Sequence, residues 1–530
     1  MLDFAKRHKN TLFEIVVLLA FMIPLAFSYR DYITGDPSIY FTFFKNFFAK
    51  PFSYYPEHVS YGASSPIFVV IGAFCHLIFS NSWFIMLKVF SFCICGAALF
   101  FANRTIKGSI ITLLPIISVF HSNQAVLPNT GMLFEVPLVL LALSLLIFFS
   151  STKKEKHALI VNGLLYLVRP EMAVLSIIML VFLFLRSNEK KTFVLWAFIS
   201  YLPSILYVFY MYINTGDLLP SSAVGRYIYA IESGTGRWQS IHLMFTNWWS
   251  NNSSVTYLCI LSGVLFVVMN KKPPIVLLLS AVGIFLPFLI FPTQPGYFIR
   301  YSLPFIIVSG IAAGYISNIL IQKVAIFVKN STVVYVVSLF VMACVLLFSI
   351  IHNQAYRNVK SDTLDNTLCT DLGQSLNQII DKDDIILIYE IQAQYSLVAR
   401  CISLDAIVGS EMTDFLMKRQ SFEDALAEYN VKYIVTMNSL NYRQIFLGTP
   451  LVDLYMHDLQ SELGDTLMLN GLCYEKILTN PMFSDERLFY LVESSQIYND
   501  GTNTLRRPNT DVIGGVPNMW WNSVYRVTLL

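Results

Sequence analysis

Charge is what this chain has least of. Of its 530 residues only 13% are Asp, Glu, Lys or Arg, while 55% are hydrophobic; a soluble globular chain carries about 25% charged residues. A soluble protein is therefore excluded, and most of the chain must face lipid or a membrane-buried interior. The eight cysteines include no C-x-x-C pair, which removes the usual zinc and dithiol redox motifs. The sequence holds no Gly-rich phosphate loop, no H-E-x-x-H and no G-x-S-x-G, so nucleotide hydrolysis, zinc proteolysis and serine hydrolysis have no footing. No Lys/Arg cluster is interleaved with aromatics, which excludes a nucleic-acid partner. No internal repeat of the kind expected for many transporters is visible.

The charge that is present is unevenly placed. Eleven of the 34 acids and 23 of the 36 basic residues precede residue 353. The first part is thus basic by 12 and the last part acidic by 10. Apolar runs of spanning or near-spanning length fall at about 12–29, 64–80, 83–102, 108–125, 131–150, 157–168, 172–186, 192–212, 254–270, 274–292, 301–321 and 332–352, and the lipid bilayer is their natural solvent. The first run, behind Lys6, Arg7 and Lys9, has no small-residue cleavage site and reads as an uncleaved helix.

Lys/Arg-rich loops mark the cytoplasmic side. They put the N-terminus, Arg104 with Lys107, Lys153–Lys156, Arg186–Lys191, Lys271 with Lys272, and Lys323 with Lys329 inside. Twelve simple crossings would leave Arg104 outside; the conflict vanishes if 64–102 makes one net crossing. The loops then outside hold Asp31, Asp36, Glu57, Glu171, Asp217 and Glu232, with Glu135 just inside a helix start. Acids gathered on one face of an apolar chain indicate a polar cavity opening there. The expected fold class is a polytopic α-helical membrane protein of about 11–12 transmembrane helices (residues 1–352) with a C-terminal α/β extracytoplasmic domain (353–530).

In that tail, a helix is expected near Leu364–Ile380, then a strand at Ile385–Tyr389, a strand at Leu404–Val408, a helix near Phe422–Tyr429 and a strand at Tyr433-Ile434-Val435. Alternation of this kind predicts a parallel sheet. Met519-Trp520-Trp521 suits a contact with the membrane surface or the helix bundle. Cys93 and Cys95 read as packing residues; with the tail outside, Cys369 and Cys401 form the favoured disulfide.

Five short motifs carry the functional signal. Thr34-Gly35-Asp36-Pro37-Ser38 follows the first helix and precedes the aromatic run Tyr40-Phe41-Thr42-Phe43-Phe44, placed along the membrane surface. Thr130-Gly131-Met132 leads to Glu135 and Pro137-Leu138; Val168-Arg169-Pro170-Glu171 forms a turn between two helices. Gly216-Asp217-Leu218-Leu219-Pro220 precedes Arg226, and Arg300-Tyr301 stands ahead of Pro304. Together these resemble the GT-C superfamily of membrane glycosyltransferases, nearest to the bacterial arabinofuranosyltransferase-like subgroup and more distantly the lipid A aminoarabinose transferases. The sequence departs from those relatives at Gly35, where they often have a first Asp, at Ser221-Ser222 for Asn-Thr, and at Arg226 for Lys.

The resemblance implies sugar transfer from a polyprenyl-phosphate sugar donor to an extracytoplasmic glycan or lipid-linked acceptor, inverting, at a multi-pass inner-membrane site of cell-envelope or lipopolysaccharide synthesis. Asp36 would be the catalytic base, since a carboxylate in a low-polarity pocket can accept the hydroxyl proton. Arg169, Arg226 and Arg300 would bind the donor phosphate, a task suited to guanidinium. Glu57, His58, Glu135, Glu171, Asp217 and Tyr301 would bind or orient substrate; pairing of Arg169 with Glu171 or Glu135 is the structural alternative. No metal ligand and no certain cofactor is assigned, and a divalent metal stays open. A lipid-linked-sugar flippase or a glycan polymerase is the rival reading, and the sugar, acceptor and linkage are not in the sequence.

Overall fold

The computed structural model describes residues 9–28, 37–55, 58–122, 126–131, 133, 135–221, 223–225, 237–239, 241–246, 248–249, 275–290, 300–327, positions scattered over 333–347, 373–374, 376–388, 397–404, 411–437, 449–458, 461–479 and 521–529. These divide by contact into two units. One comprises residues 1–31, 64–210 and 236–359, the other residues 32–63, 211–235 and 360–530.

The first unit is helical: α1 Lys9–Ser28, α3 Pro66–Phe79, α4 Trp83–Thr105, α5 Ile110–Ser122, α6 Val126–Gly131, α7 Val136–Ser151, α8 Glu155–Val168, α9 Met172–Arg186, α10 Lys190–Thr215 (its last turn counted with the other unit), α11 Ile275–Ile290 and α12 Phe305–Phe327. Among the described residues, three helical stretches are long and apolar enough to cross a membrane, 66–105, 190–215 and 305–323, and five shorter apolar helices accompany them. The expected run at 254–270 lies outside the described residues. At ~1.5 Å per residue, α3 spans roughly 21 Å and α4 roughly 35 Å, against a hydrocarbon core of ~30 Å.

Two contacts orient the bundle. Arg104 Nη2, at the end of α4, lies 3.1 Å from Glu14 Oε2 and donates to Thr11 Oγ1 at 2.8 Å, both near the start of α1. The rings of Phe101 and Phe148 meet at 5.5 Å, which brings the end of α7 to the same end of the bundle. The Lys153–Lys156 loop therefore sits at the Arg104 end, and α8 runs from there to Arg169 at the opposite end.

Inside the apolar bundle, α8, α9 and α10 are joined by polar contacts. Asn162 Nδ2 donates to Ser176 O at 2.9 Å and to Tyr201 Oη at 2.8 Å, and Ser176 Oγ donates to Asn162 O at 2.8 Å. Ser204 Oγ donates to Gly163 O at 2.6 Å, and a Cβ at Gly163 would overlap the Ser200 carbonyl. Small residues let helix backbones approach this closely in lipid.

The second unit begins with α2 Pro37–Asn46 and the short pair β1 Ser53–Tyr55 and β2 His58–Val59. The aromatic run is helical but does not lie open to a membrane surface: Tyr40, Phe41, Phe43 and Phe44 are buried, Phe43 packs edge-on to Tyr54 at 5.5 Å, and Asn46 Nδ2 donates to Tyr54 O. Aromatic area of this size is stabilised most by packing on its own hairpin.

The rest of the unit is a six-stranded sheet in the order β4-β3-β5-β8-β7-β6, formed by β3 Ile385–Ile388, β4 Arg400–Ser403, β5 Val431–Met437, β6 Thr466–Leu469, β7 Leu472–Thr479 and β8 Trp521–Leu529, with short helices α13 Thr413–Leu416, α14 Phe422–Glu428 and α15 Pro450–Asp458. The expected strands at 385 and 433 and the helix at 422 are present. The strand expected at 404–408 lies earlier, at 400–403, and residues 405–408 are outside the described set. The sheet is mixed, not all parallel: β4-β3-β5 is parallel, and β8, β7 and β6 join antiparallel. β6 and β7 meet through Asn470-Gly471, both at positive φ, as a two-residue hairpin requires. Trp521 opens the interior strand β8, paired with Met437, so its backbone serves the sheet. Lys476 Nζ lies 2.9 Å from Asp458 Oδ1, the two fully buried, and donates to the Asp458 and Ser461 carbonyls. Cys401 is a free buried thiol, not half of a disulfide.

Candidate active site

Segments beside three helix starts, at the end of the bundle opposite Arg104, converge on one arginine. The Arg-Pro-Glu turn is built by helix ends: Arg169 caps the C-terminus of α8 in an extended conformation, its N–H bonded to Leu165 O, and Glu171 is the N-cap of α9. Proline between them stops α8 and cannot donate a hydrogen bond. Glu135 is the N-cap of α7, followed by Pro137 in the first turn.

These residues meet. Arg169 Nε lies 2.8 Å from Glu171 Oε1 and 3.2 Å from Glu135 Oε1. The Arg169 guanidinium carbon stands 4.1 Å from the centre of the Tyr301 ring, within cation–π range. Arg300 approaches the same ring at 5.3 Å, and its Nη2 donates to Tyr301 Oη at 3.2 Å. Phe288 of α11 stacks on Tyr301 at 5.8 Å and 8°, backed by Met244 and Trp248. Two carboxylates and two guanidiniums balance in an apolar setting, which makes their shared burial tolerable.

Five sequence-predicted residues are thus brought together: Glu135, Arg169, Glu171, Arg300 and Tyr301. Arg169, expected on the donor phosphate, is only 1% exposed and is taken up by two carboxylates and a ring. Its charge is met by these two carboxylates and the ring. Arg300 is half-buried.

Asp217 belongs to the second unit, beyond α10, where its N–H bonds Thr215 Oγ1 and burial pushes its carboxyl pKa up. In the same unit, Ser221 N–H donates to Tyr61 O, tying the Gly216–Ser221 segment to the segment that follows the first helix. Asp36, Glu57 and Arg226, and the His58 side chain, lie outside the described residues. Among the described residues no group of three or more His, Cys, Asp or Glu could hold a metal ion.

Lys88 escaped the sequence reading. It lies in the second turn of α4, fully buried, with Nζ 4.4 Å from the Phe84 ring centre. The signal was available: it is the only charge in the apolar run 83–102, and an intramembrane cation is a functional candidate by default.

The fold matches a GT-C fold. The chain superposes on the crystal structure of ArnT from Cupriavidus metallidurans bound to undecaprenyl phosphate with a TM-score of 0.50 at 12% identity, over 79% of this chain and 95% of that one. The apo structure of the same protein gives 0.46 at 12% identity, over 78% and 94%. The likeness supports the GT-C fold and not the arabinofuranosyltransferase-like subgroup. No protein-family model and no curated protein matches the sequence.

Proposed function

We propose that this protein is a membrane glycosyltransferase that moves a sugar from a polyprenyl-phosphate donor to an extracytoplasmic glycan or lipid-linked acceptor. The observation that carries the reading is the charge cluster around Arg169, set at the acid-rich end of a GT-C-fold bundle. ArnT, which shares the fold, was crystallised with a polyprenyl phosphate, undecaprenyl phosphate. In the proposed orientation the N-terminus and the Lys/Arg loops are cytoplasmic, the division falls near residue 352, and the tail is extracytoplasmic in the inner membrane of a cell-envelope pathway.

The reaction is a single displacement. The acceptor oxygen attacks the anomeric carbon, the bond from that carbon to the donor phosphate breaks, and the electron pair leaves with the phosphate. Asp36 takes the hydroxyl proton, and the configuration inverts. Arg226 and Arg300 stabilise the departing phosphate, the charge that grows most in the transition state. Lys88, a cation already inside the apolar bundle, is a third candidate for that task. Glu135, Glu171 and Tyr301 fix the Arg169 turn and through it the floor of the site. Glu57, His58 and Asp217 serve the sugar or acceptor. The arabinofuranosyltransferase-like assignment remains a finer alternative within the same reaction class.

The test is purified protein in lipid supplied with a panel of radiolabelled polyprenyl-phosphate sugars and crude acceptor glycolipids. Sugar transfer to an acceptor supports the reading. Movement of intact donor across the bilayer without transfer would replace it with a flippase.

A further inference from the structure

At the other end of α8 from Arg169 lies a cavity of about 290 Å³ between the loop before α8 and the loop that joins α9 to α10. Fourteen residues of helix separate the two sites, roughly 20 Å at ~1.5 Å per residue, so this cavity is no part of the charge cluster. It is small for a ligand cleft, near the lower bound of about 300 Å³, and suits a headgroup better than a whole lipid.

Its walls are fixed. Ser187 Oγ donates to Glu155 Oε2 at 3.0 Å, and Arg186 Nη1 at the end of α9 donates to Ser150 O near the end of α7 at 3.1 Å, so the α7–α8 and α9–α10 corners are tied twice. Leu159, Ser187 and Phe193 are buried beneath it, and Phe193 packs edge-on to Phe184 at 5.5 Å. Lys153 and Lys156 stand over this floor, Lys156 Nζ 5.2 Å from the centre of the Trp196 ring.

Charge and position name the ligand. Lys153 and Lys156 line the cavity with Glu155 and Glu189; the two segments that frame it, 153–156 and 186–191, also carry Lys154, Arg186, Lys190 and Lys191, six cations to two acids, and Glu155 is already engaged by Ser187. Immediately past Trp196, α10 exposes Phe198, Ile199, Leu202, Ile205 and Leu206, a lipid-facing stripe on a long apolar helix. The segments framing the cavity are therefore basic, the cavity opens where a long apolar helix with an exposed apolar stripe begins, and Trp196 in its wall is of the residue type that anchors at a membrane interface. We propose that it binds the phosphodiester headgroup of an anionic phospholipid, with Lys153 and Lys156 on the phosphate and the acyl chains along α10. Basic pockets between membrane helices are suited to such headgroups.

The experiment is native mass spectrometry of the purified full-length chain exchanged into mixed micelles holding equal phosphatidylglycerol and phosphatidylcholine. Retained phosphatidylglycerol should exceed phosphatidylcholine by roughly fivefold or more, and Lys153→Glu with Lys156→Glu should bring the ratio close to one. Equal retention by the unmodified protein overturns the proposal, as does an unchanged ratio in the double variant. A second measurement needs no variant: raising salt from about 0.05 to 0.5 M should erode the preference of the unmodified protein, because exposed charge attraction is screened, and a salt-independent ratio counts against the site. Displacement of bound lipid by inorganic phosphate alone would make the site one for free phosphate and overturn the lipid assignment.

Discussion

The guanidinium of Arg169 lies over the ring of Tyr301 with 4.1 Å between charge centre and ring centre, so the α8–α9 turn is seated on the segment that leads into α12. Removal of the arginine would take from the buried Glu135 the cation that lies 3.2 Å from it. Arg169→Met should therefore cost about 3–5 kcal/mol, and adding Glu135→Gln should recover part of that loss. Thermal unfolding of the purified variants in one detergent checks both; a stable Arg169→Met protein would show that the cluster does not hold the bundle.

Arg300 approaches the same ring from a half-buried position, and in the proposed reaction it meets the donor phosphate. Arg300→Ala is expected to weaken binding of a polyprenyl phosphate by about 2 kcal/mol, the scale of a charge-assisted contact, with little change for the free polyprenol. Lys88→Met should behave alike if Lys88 shares the phosphate. Equal losses for the two lipids would mark either residue as a packing element.

Asp36 has the simplest chemical test. Asp36→Asn keeps size and removes basicity, so folding and donor binding should persist while turnover falls about 100-fold or more. Asp31 at the helix exit is the control and should tolerate Asn. Normal turnover by a folded Asp36→Asn protein would pass the role of base to Glu57.

How much of this could be read from residues alone varies with the kind of signal. The Arg-Pro-Glu turn was legible because proline and flanking charges interrupt two apolar runs, and it was found where expected. The strands at 385 and 433 and the helix at 422 were legible by composition and period. The β6–β7 hairpin was missed although Leu469-Asn470-Gly471-Leu472 carries the strongest short hairpin signal. β8 was hidden for a physical reason: Ser523, Val524 and Tyr525 are all buried, so an interior strand shows no alternation. Lys88 was averaged away by the hydropathy of its neighbours. Pairing of Arg169 with Glu171 or Glu135 was legible as the structural alternative, and both pairs are present; that Tyr301 stands against the same guanidinium was not, because that contact depends on helix packing that no short motif encodes.

Gly163 offers a prediction on packing. A Cβ there would overlap the Ser200 carbonyl, so Gly163→Ala must push α8 and α10 apart or strain them, at about 1–3 kcal/mol. Gly216→Ala is the contrast: nothing crowds it, but its φ of +76° disfavours a side chain, at about 1–2 kcal/mol. Melting curves should rank both below the unmodified protein, and the Ser204 contact to Gly163 O should weaken only in the first.

Asp217 gives a pH signature. Burial raises its carboxyl pKa, so the native state keeps that proton to higher pH than the unfolded chain does. Stability should fall as pH rises from the ordinary carboxylate range through the raised value, and level off above it. Asp217→Asn removes this dependence. Melts across the acidic range should diverge between the two proteins toward neutrality; parallel curves would show that the carboxyl is solvated.

The place of β8 in the sheet bears on how the second unit comes together. Tyr433 pairs with Arg526, and Glu475 faces the same arginine from the other side. Until residues 521–529 insert, the parallel trio and the β6–β7 hairpin are separate pieces with unpaired edges. Loop closure across the 83 residues between Met437 and Trp521 is slow compared with local pairing, so the half-built sheet must wait with two sticky flanks exposed. An assembly of this order makes the unit a late and vulnerable folder, dependent on one nine-residue strand for its continuity.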